Sequence, residues 1–177
     1  MSDIRPPVAI VPAEGPDDMA RVRDLFLEYQ TWLGLDLCFQ GFEEELATLP
    51  GRYAPPGGGL WFAKRSDEIA GVVGLRPLEG GQEDAQEDRG RCELKRLWVR
   101  PGHRGLALGR RLTETAITMA RAAGYRSLWL DTLPLMTDAR RLYDELGFRE
   151  AAPYYHNPVE GVVYMQLDLS RDVARTG

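Results

Sequence analysis

The sequence is poor in the residues that build covalent or metal-linked frameworks. Its 177 residues include only two cysteines, Cys38 and Cys92, and two histidines. Two cysteines cannot form a disulfide framework, and so few cysteines and histidines argue against a structural zinc site. We therefore expect a chain that holds no metal and stays in a reducing compartment, which predicts a cytoplasmic location.

Long apolar runs and an excess of positive charge are also missing. No run approaches the roughly 18 apolar residues that a membrane-spanning helix needs, and the first residues lack the apolar stretch of a secretory signal. The net charge is -5, whereas nucleic-acid-binding domains are usually basic. The sequence predicts no membrane and no nucleic-acid partner. Its 44% hydrophobic and 28% charged residues fit one globular domain over 1–177.

Hydrophobic periodicity and turn residues predict seven strands and four helices. The strands are expected at 8–11, 60–64, 69–77, 91–99, 127–130, 148–151 and 162–169, and the helices at about 16–33, 42–49, 106–123 and 135–146. Strand–helix–strand units favour some parallel pairing within a mixed α/β sheet covered by helices. The acidic stretch 79–90 is predicted to be a surface loop.

The most informative stretch runs from Arg100 to Arg111. The pattern Arg104-x-x-Ala107-x-Gly109 places small residues where a strand leads into an amphipathic helix. The first N–H groups of a helix have no partner inside it, and the helix dipole attracts anions to that end. From residue 94 to residue 113 there is no acidic residue, but there are six basic ones: Lys95, Arg96, Arg100, Arg104, Arg110 and Arg111. These features predict a site for a phosphorylated ligand.

Two other glycine-loop sites are disfavoured by the spacing. A Walker phosphate loop needs Gly-Lys-Ser/Thr after its second glycine, but Gly109 is followed by two arginines. A dinucleotide site needs G-x-G-x-x-G, which Gly105 and Gly109 do not provide, although Asp131 imitates the acidic residue that this site uses.

Four segments of the chain resemble the GNAT superfamily of acyl-CoA-dependent N-acetyltransferases. They are the strand 93–99, the loop Arg104-Gly-Leu-Ala-Leu-Gly109, the strand end Leu128-Trp-Leu-Asp131, and Ala139-Arg-Arg-Leu-Tyr-Asp-Glu-Leu-Gly-Phe148. The resemblance implies a GNAT-like α/β fold, in which a twisted, mostly antiparallel sheet has one parallel pair at the cofactor cleft. It places the cofactor-binding core at about 92–148.

The resemblance also implies acetyl-CoA as the cofactor. In this family the pyrophosphate lies on the backbone N–H groups of the loop, and the pantetheine arm lies beside the preceding strand. The corresponding residues are Arg104, Gly105, Leu106, Ala107, Leu108, Gly109 and Arg110 for the pyrophosphate, and Leu97, Trp98 and Val99 for the arm. Ala107 departs from the more frequent glycine, and Trp98 stands where tyrosine or another bulky residue is frequent.

Glu93 is the candidate general base. It lies on the strand that should line the cofactor, it could act through a water, and an efficient base near neutral pH needs a raised carboxyl pKa. Strand alternation would put Glu93, Lys95 and Leu97 on one face and Leu94, Arg96 and Trp98 on the other. The alternative is that Glu93 only forms an ion pair with Lys95 or Arg96.

Tyr143 is the candidate proton donor to the departing sulfur. In the resembling family, a tyrosine at this point of the Leu-Tyr-x-x-x-Gly-Phe motif directs its hydroxyl at the cofactor sulfur, and a phenol is neutral at pH 7. The alternative is an ordinary core aromatic beside Leu142 and Leu146. Backbone N–H groups of Leu97–Val99 are expected to stabilise the carbonyl oxygen.

The acceptor site is less defined by the sequence. The resemblance places it between the first two helices and the C-terminal strands, so the candidate lining residues are Tyr29, Trp32, Phe39, Tyr154, Tyr155 and His156. An aromatic pocket can hold an amine by cation–π contact, but these residues could equally be core or loop aromatics. Arg96 could pair with a substrate carboxylate or be a surface arginine, and His156 could be a second base or simply exposed.

Together these features predict an N-acetyltransferase that moves an acetyl group from acetyl-CoA to a primary amine by direct attack in a ternary complex. A small molecule or amino acid is the preferred acceptor, with a protein acceptor as an alternative. A non-catalytic acyl-CoA-binding or sensor domain is the rival from another class, since it would need neither Glu93 nor Tyr143. A covalent cysteine route is disfavoured because neither cysteine has an evident base beside it. Oligomeric state is not readable, so a homodimer stays open.

Overall fold

A computed structural model describes residues 7–78 and 90–170, apart from the side chain of Phe39. The acidic stretch predicted to be a loop therefore lies, except for Gly90, outside the described residues. The strands are β1 (Val8–Pro12), β2 (Gly59–Arg65), β3 (Glu68–Pro77), β4 (Arg91–Val99), β5 (Ser127–Thr132), β6 (Arg149–Ala151) and β7 (Val163–Asp168). The helices are α1 (Gly15–Leu33), α2 (Phe42–Ala47), α3 (Leu108–Ala122) and α4 (Thr137–Glu145).

All seven strands form one sheet in the order β1-β2-β3-β4-β5-β7-β6. β4 and β5 are parallel, and the other neighbours are antiparallel. The predicted mixed sheet with one parallel pair is thus confirmed. Helices α3 and α4 pack on one face of the sheet, whereas α1 and α2 pack on the other, so two hydrophobic clusters lie on opposite sides of the sheet.

Apolar spacing explains why the two long helices form and how they dock. In α1, Val22, Leu25 and Phe26 are almost completely buried, and the helix ends at Gly34 with φ +65°. A glycine takes this left-handed conformation without the steric cost of a Cβ atom. In α3, Leu112 and Ala116 have no exposed surface. These stripes hold the first turn of α3 and the last turns of α1 beside the C-terminal half of β4.

The parallel pair separates after three residues. Backbone pairing joins β4 to β5 from Arg91 opposite Ser127 to Glu93 opposite Trp129, and no further pairing joins them in the described residues. Because a parallel pair needs evenly spaced hydrogen bonds along both strands, the separation leaves one backbone edge of β4 without β5 as its partner. A gap opens there, in the middle of the sheet.

A β-bulge at Arg96 changes the face on which the β4 side chains lie. Arg96 has φ +58°, and the pairing with β3 shifts between Val72–Trp98 and Gly74–Lys95. The bulge adds one residue to β4, so Arg96 lies on the α1/α2 side together with Lys95. The predicted strict alternation, with Arg96 opposite to Lys95, is therefore wrong.

Candidate functional site

An outer cavity of about 350 Å³ lies where β4 leaves β5. Eight of the residues predicted to hold the cofactor line this cavity: Leu97, Trp98, Val99, Arg104, Gly105, Ala107, Leu108 and Gly109. Its opposite wall comes from the start of α4, which contributes Thr137, Asp138 and Ala139. The strand, the loop and two helix N-termini thus meet around one opening.

The N-terminus of α3 is open towards this cavity. The helix begins at Leu108, two residues later than predicted, and no side chain caps it within the described residues. The first intrahelical bond is donated by the Arg111 N–H to the Ala107 carbonyl, so the preceding N–H groups remain available to an anion. Ala107 adopts φ +55°, which costs a residue with a Cβ atom about 1–2 kcal/mol and explains why glycine suits this position.

Arg104 is held at the mouth of the outer cavity by two tryptophans. Its guanidinium carbon lies 5.2 Å from the ring centroid of Trp32 and 5.3 Å from that of Trp98. The Arg104 Nε–H donates to the carbonyl of Val99 at 3.3 Å. Cation–π contact and this hydrogen bond orient a permanent positive charge beside the open helix end.

Two of the residues predicted to bind the cofactor lie away from the outer cavity lining. Leu106 packs against the hydrophobic cluster beneath α3. Arg110 forms ion pairs with Glu145 and Glu114 on the helix surface. Sequence spacing alone could not separate these two side chains from their neighbours in the same loop.

A smaller and more enclosed inner cavity of about 70 Å³ adjoins the outer cavity. Four residues line both: Tyr29, Leu97, Met136 and Ala139. One side of the inner cavity is apolar, and the other carries polar groups from β4, β5 and the segments around residues 40 and 157. The two cavities therefore adjoin, with the outer one at the α3 N-terminus and the inner one towards the α1/α2 side of the sheet.

Six charged side chains form a polar cluster beside the inner cavity: Glu45, Arg76, Glu93, Lys95, Arg96 and Asp131. Each side chain is at most 10% exposed. Buried charges are tolerated when each has an opposite partner and good hydrogen bonds. Three cations and three carboxylates satisfy that condition, so the cluster is electrically balanced.

Glu93 lies within the polar cluster and does not line either cavity. Its carboxylate accepts from Arg76 Nε at 3.0 Å and from the Tyr154 hydroxyl at 2.9 Å, and it lies 3.3 Å from Lys95 Nζ. Burial alone would raise the pKa of Glu93, but the charges of Lys95 and Arg76 outweigh burial and lower this pKa to about 2. The raised pKa expected of a base is therefore wrong, and the ion-pair alternative with Lys95 describes this environment.

Arg96 is buried, so the interpretation as a surface arginine is wrong. Its Nε and Nη2 donate to the two carboxylate oxygens of Glu45 at 3.0 and 3.2 Å, and its Nη1 donates to Gln40 Oε1 at 2.7 Å. This bidentate geometry is the strong form of an arginine–carboxylate pair. Arg96 lines the inner cavity, but its donors are committed to α2 and the segment before it.

Asp131, at the end of β5, brings a carboxylate directly to the inner cavity. Its Oδ2 accepts from the Tyr155 hydroxyl at 2.5 Å and from Asn157 Nδ2 at 2.9 Å, and its Oδ1 lies 3.5 Å from Lys95 Nζ. The sequence offered a signal for Asp131, a polar residue at the end of a buried strand. It offered none for Gln40, Glu45 or Asn157, which reach the site through the tertiary fold.

Two tyrosines line the inner cavity. Tyr143 is 5% exposed, its ring lies 5.5 Å from that of Phe148, and within the described residues its hydroxyl has no hydrogen-bond partner. Burial raises the pKa of Tyr143, and nearby Tyr29 and Asp131 raise it further. Burial also raises the pKa of Tyr29 to about 12. Both phenols are therefore neutral donors at ordinary pH.

The other predicted acceptor residues lie outside the lining of the inner cavity, and three of them, Tyr154, Tyr155 and His156, line a third, more open cavity in the loop before β7. Tyr154 binds Glu93 behind the inner cavity, Trp32 lines the outer cavity, and His156 is exposed in the loop before β7. The side chain of Phe39 lies outside the described residues. Cys92 is buried under α3 and Cys38 is exposed, and neither lines a cavity described above.

The part of the chain that the structure describes holds neither a metal cluster nor a membrane-spanning helix. They contain no group of three or more histidine, cysteine or acidic side chains arranged to hold a metal ion. No helix formed by residues 7–78 and 90–170 has the length and apolar character to cross a membrane.

Comparison with known proteins agrees with this geometry. Residues 19–148 match the model of the acetyltransferase (GNAT) family. An uncharacterised N-acetyltransferase of Schizosaccharomyces pombe is 39% identical over 93% of this chain and 96% of its own length, and one of Dictyostelium discoideum is 31% identical over 88% and 97%.

Solved structures share the fold. An acetyltransferase from Salmonella typhimurium, solved with its cofactor acetyl-CoA, superposes with a TM-score of 0.71 at 20% identity over 95% of this chain and 97% of that one. A GNAT acetyltransferase from Staphylococcus aureus gives a TM-score of 0.72 at 21% identity over 92% and 99%. The predicted resemblance is confirmed: the chain belongs to the acetyltransferase (GNAT) family.

Proposed function

We propose that this acetyltransferase moves an acetyl group from acetyl-CoA to the primary amine of a small molecule or free amino acid, by direct attack in a ternary complex. The observation that carries the proposal is that the two cavities adjoin and share four lining residues. An uncapped helix N-terminus opens onto the outer cavity, and an enclosed polar site lies beside it. The family match and the acetyl-CoA bound by the Salmonella protein support acetyl-CoA as the cofactor.

The residues of the outer cavity fit a pyrophosphate. The open N–H groups at the start of α3 and the Arg104 guanidinium provide donors and positive charge. Gly109 lines the cavity, and its missing side chain leaves the helix backbone accessible. Backbone donors at a helix N-terminus are a general anion site, so no lysine is needed.

The separated edge of β4 fits an extended, amide-containing arm. Leu97, Trp98 and Val99 line the outer cavity beyond the last residue that pairs with β5. Free backbone groups on a strand edge can bind another extended chain by hydrogen bonding. The same N–H groups could stabilise negative charge on a carbonyl oxygen.

The inner cavity supplies the groups that acyl transfer to an amine requires. Bound acetyl-CoA would supply an acetyl thioester. Tyr143 holds a phenolic proton for the departing sulfur, and its hydroxyl has no competing hydrogen-bond partner among the described residues. We assign the first proton of the ammonium to water rather than to Glu93, because a carboxylate with a pKa of about 2 takes up protons poorly at neutral pH.

Enclosure of the inner cavity favours a small acceptor. Residues of α1, of the segment 35–40 and of the loop at 157–159 surround it. A protein acceptor would need an open groove to place an extended segment against β4. The described residues around the inner cavity instead form a confined pocket, which favours a compact amine.

A thermal-shift titration tests the cofactor assignment. Acetyl-CoA at about 100 times its dissociation constant should stabilise the folded state by roughly 2.7 kcal/mol, whereas NAD at the same concentration should leave the melting temperature unchanged. Release of thiol in the presence of an amine panel would then identify acceptors. No stabilisation by acetyl-CoA, or stabilisation by NAD alone, would overturn the proposal.

Gly109→Ala separates cofactor binding from folding. A Cβ atom at Gly109 would meet only Leu142 Cδ2, at an ordinary 3.8 Å, so the fold should retain its stability. The added methyl group would occupy the cavity wall where the pyrophosphate is expected to approach the backbone. We expect acetyl-CoA affinity, measured by calorimetry, to fall about tenfold or more, which corresponds to about 1.4 kcal/mol.

Gly102→Ala is the matched control for this substitution. A Cβ atom at Gly102 meets nothing within 4 Å, and Gly102 does not line the outer cavity. The Gly102→Ala variant should bind acetyl-CoA with the affinity of the wild type. Wild-type affinity in the Gly109→Ala variant as well would show that the cofactor does not approach this turn of α3.

A further inference from the structure

We propose that the acceptor is a free α-amino acid with a compact apolar side chain, and that Lys95 and Asp131 recognise its carboxylate and its ammonium group. This inference rests on the proposed function and narrows its acceptor to one chemical class. Its basis is the distribution of charge around the inner cavity.

Only three of the described residues that line the inner cavity are charged: Lys95, Arg96 and Asp131. The charge of the Arg96 guanidinium is already paired with Glu45 in a bidentate contact, and a third N–H group donates to Gln40, all within 3.2 Å. That leaves one cation and one anion, Lys95 and Asp131, to interact with a ligand.

The Lys95–Asp131 pair is the loosest pair in the polar cluster. Their charged atoms lie 3.5 Å apart, whereas the arginine–carboxylate contacts of the cluster measure 3.0 to 3.2 Å. Lys95 Nζ is also 3.3 Å from Glu93 and 3.4 Å from Gln40 Oε1, so all its contacts are long. By contrast, Asp131 Oδ2 is fixed by two short hydrogen bonds. A rigid carboxylate beside a loosely held ammonium is suited to exchanging partners with a ligand.

A zwitterion preserves the charge balance of this site, and a simple amine does not. The ammonium of a monoamine would approach Asp131 but would also meet the like charge of Lys95, and it would add one net positive charge to a buried, balanced cluster. A carboxylate two bonds from the ammonium nitrogen would pair with Lys95 and remove both penalties. Burying an unpaired charge is costly, so this difference should dominate acceptor choice.

The other wall of the inner cavity indicates the kind of side chain. It is apolar and includes Leu33, Leu35, Leu37, Leu133, Met136 and Val159. No charged or amide group among the described residues of this wall is available to a polar side chain. The volume of about 70 Å³ favours a compact aliphatic group such as that of valine.

Acetyl transfer to an amino acid needs only its α-nitrogen, the thioester of acetyl-CoA, Tyr143 and solvent. The α-nitrogen forms a bond to the acetyl carbon while the carbon–sulfur bond breaks. The nitrogen loses two of its three ammonium protons. One is released to solvent, and the other restores to Tyr143 the proton that its hydroxyl gives to the sulfur. The products are an N-acetyl amino acid and the free thiol, with one proton released.

A matched pair of acceptors tests the inference in the wild-type enzyme. Valine and isobutylamine share the aliphatic group and the primary amine and differ by the carboxylate. We expect kcat/KM for valine to exceed that for isobutylamine about a hundredfold, as hydrogen bonds between charged groups allow. A higher or equal kcat/KM for isobutylamine, spermidine or a peptide N-terminus would overturn the inference while leaving the proposed function intact.

Variants of Lys95 separate recognition from structural support. Lys95→Met should lower the ratio of kcat/KM for valine to kcat/KM for isobutylamine about a hundredfold, and Lys95→Arg should restore part of this ratio. The matched control is Lys64→Met, at the only other lysine of the chain, which lies on β2 away from both cavities. The Lys64→Met variant should prefer valine over isobutylamine to the same extent as the wild type.

Stabilisation by acetyl-CoA is measured in the wild type and in every variant. This measurement distinguishes a failure of the amino-acid acceptor from a failure of the proposed acetyltransferase function. Equal losses for valine and isobutylamine in Lys95→Met would indicate a purely structural lysine and overturn the inference. If the wild type is stabilised by acetyl-CoA but acetylates neither compound, the amino-acid acceptor is wrong. If acetyl-CoA does not stabilise the wild type, the proposed function fails first.

Discussion

Glu93→Gln is expected to lower the free energy of unfolding by about 3 to 5 kcal/mol, the range observed when one partner of a buried ion pair is removed. Glutamine keeps the size of the side chain but removes the charge that balances Arg76 and Lys95. Those two cations would remain buried with less compensation. Urea denaturation at pH 7 measures the change. Glu160→Gln is the control, because Glu160 is exposed, and its stability should change by less than about 0.5 kcal/mol.

The stabilising effect of Glu93 should also depend on pH in a defined direction. Its pKa in the folded chain is about 2, below the ordinary value of 4.5, so the folded state binds this proton less readily than the unfolded state does. The resulting stabilisation, about 3 kcal/mol, is complete above pH 4.5 and disappears as pH falls towards 2. The stability difference between the wild type and Glu93→Gln should therefore shrink in acid. An equal difference at pH 7 and at about pH 3 would contradict the buried pair.

The fold was accessible from the sequence because its signals are local. The apolar stripe of α1, the glycine at 34 that ends it, and the continuous apolar runs of the central strands each depend on neighbouring residues. The loop proposed as the anion site could be located for the same reason, since a strand, a turn of small residues and a helix start are consecutive in the chain. The helix α3 starts two residues later than predicted, because Ala107 takes a left-handed conformation, and the side chains of Leu106 and Arg110 lie away from the outer cavity.

The inner cavity and the polar cluster beside it could not be predicted in the same way, because their groups come from distant segments. Glu45 lies on α2, Arg76 on β3 and Asp131 on β5, and they meet only when the sheet is assembled. The bulge at Arg96 moved that side chain to the opposite face from the one that strand alternation predicts. A residue's type suggests its chemistry, as for Glu93, but the neighbours that set its pKa are not adjacent in sequence.

Tyr143→Phe is expected to lower kcat about a hundredfold while changing acetyl-CoA affinity less than about twofold, since general acid catalysis typically contributes a factor of 10² to 10⁴. Phenylalanine retains the ring that packs on Phe148, and the lost hydroxyl has no hydrogen-bond partner in the described residues. The fold should therefore keep its melting temperature, and only the proton donor is removed. Steady-state kinetics with a saturating amine and calorimetry with acetyl-CoA measure the two effects separately.

Tyr125→Phe is the control, and it should lose stability but keep its turnover. The Tyr125 hydroxyl donates to the carbonyl of Gly57 and lines neither cavity, so its removal should cost about 1 kcal/mol of stability and leave kcat unchanged. If Tyr143→Phe instead lost stability and kept its turnover, Tyr143 would be a core aromatic and the sulfur would receive its proton from another donor, such as water. If both stability and turnover fell, packing and catalysis would share this residue, and the fall in kcat at a temperature where the variant is still folded would give the catalytic part.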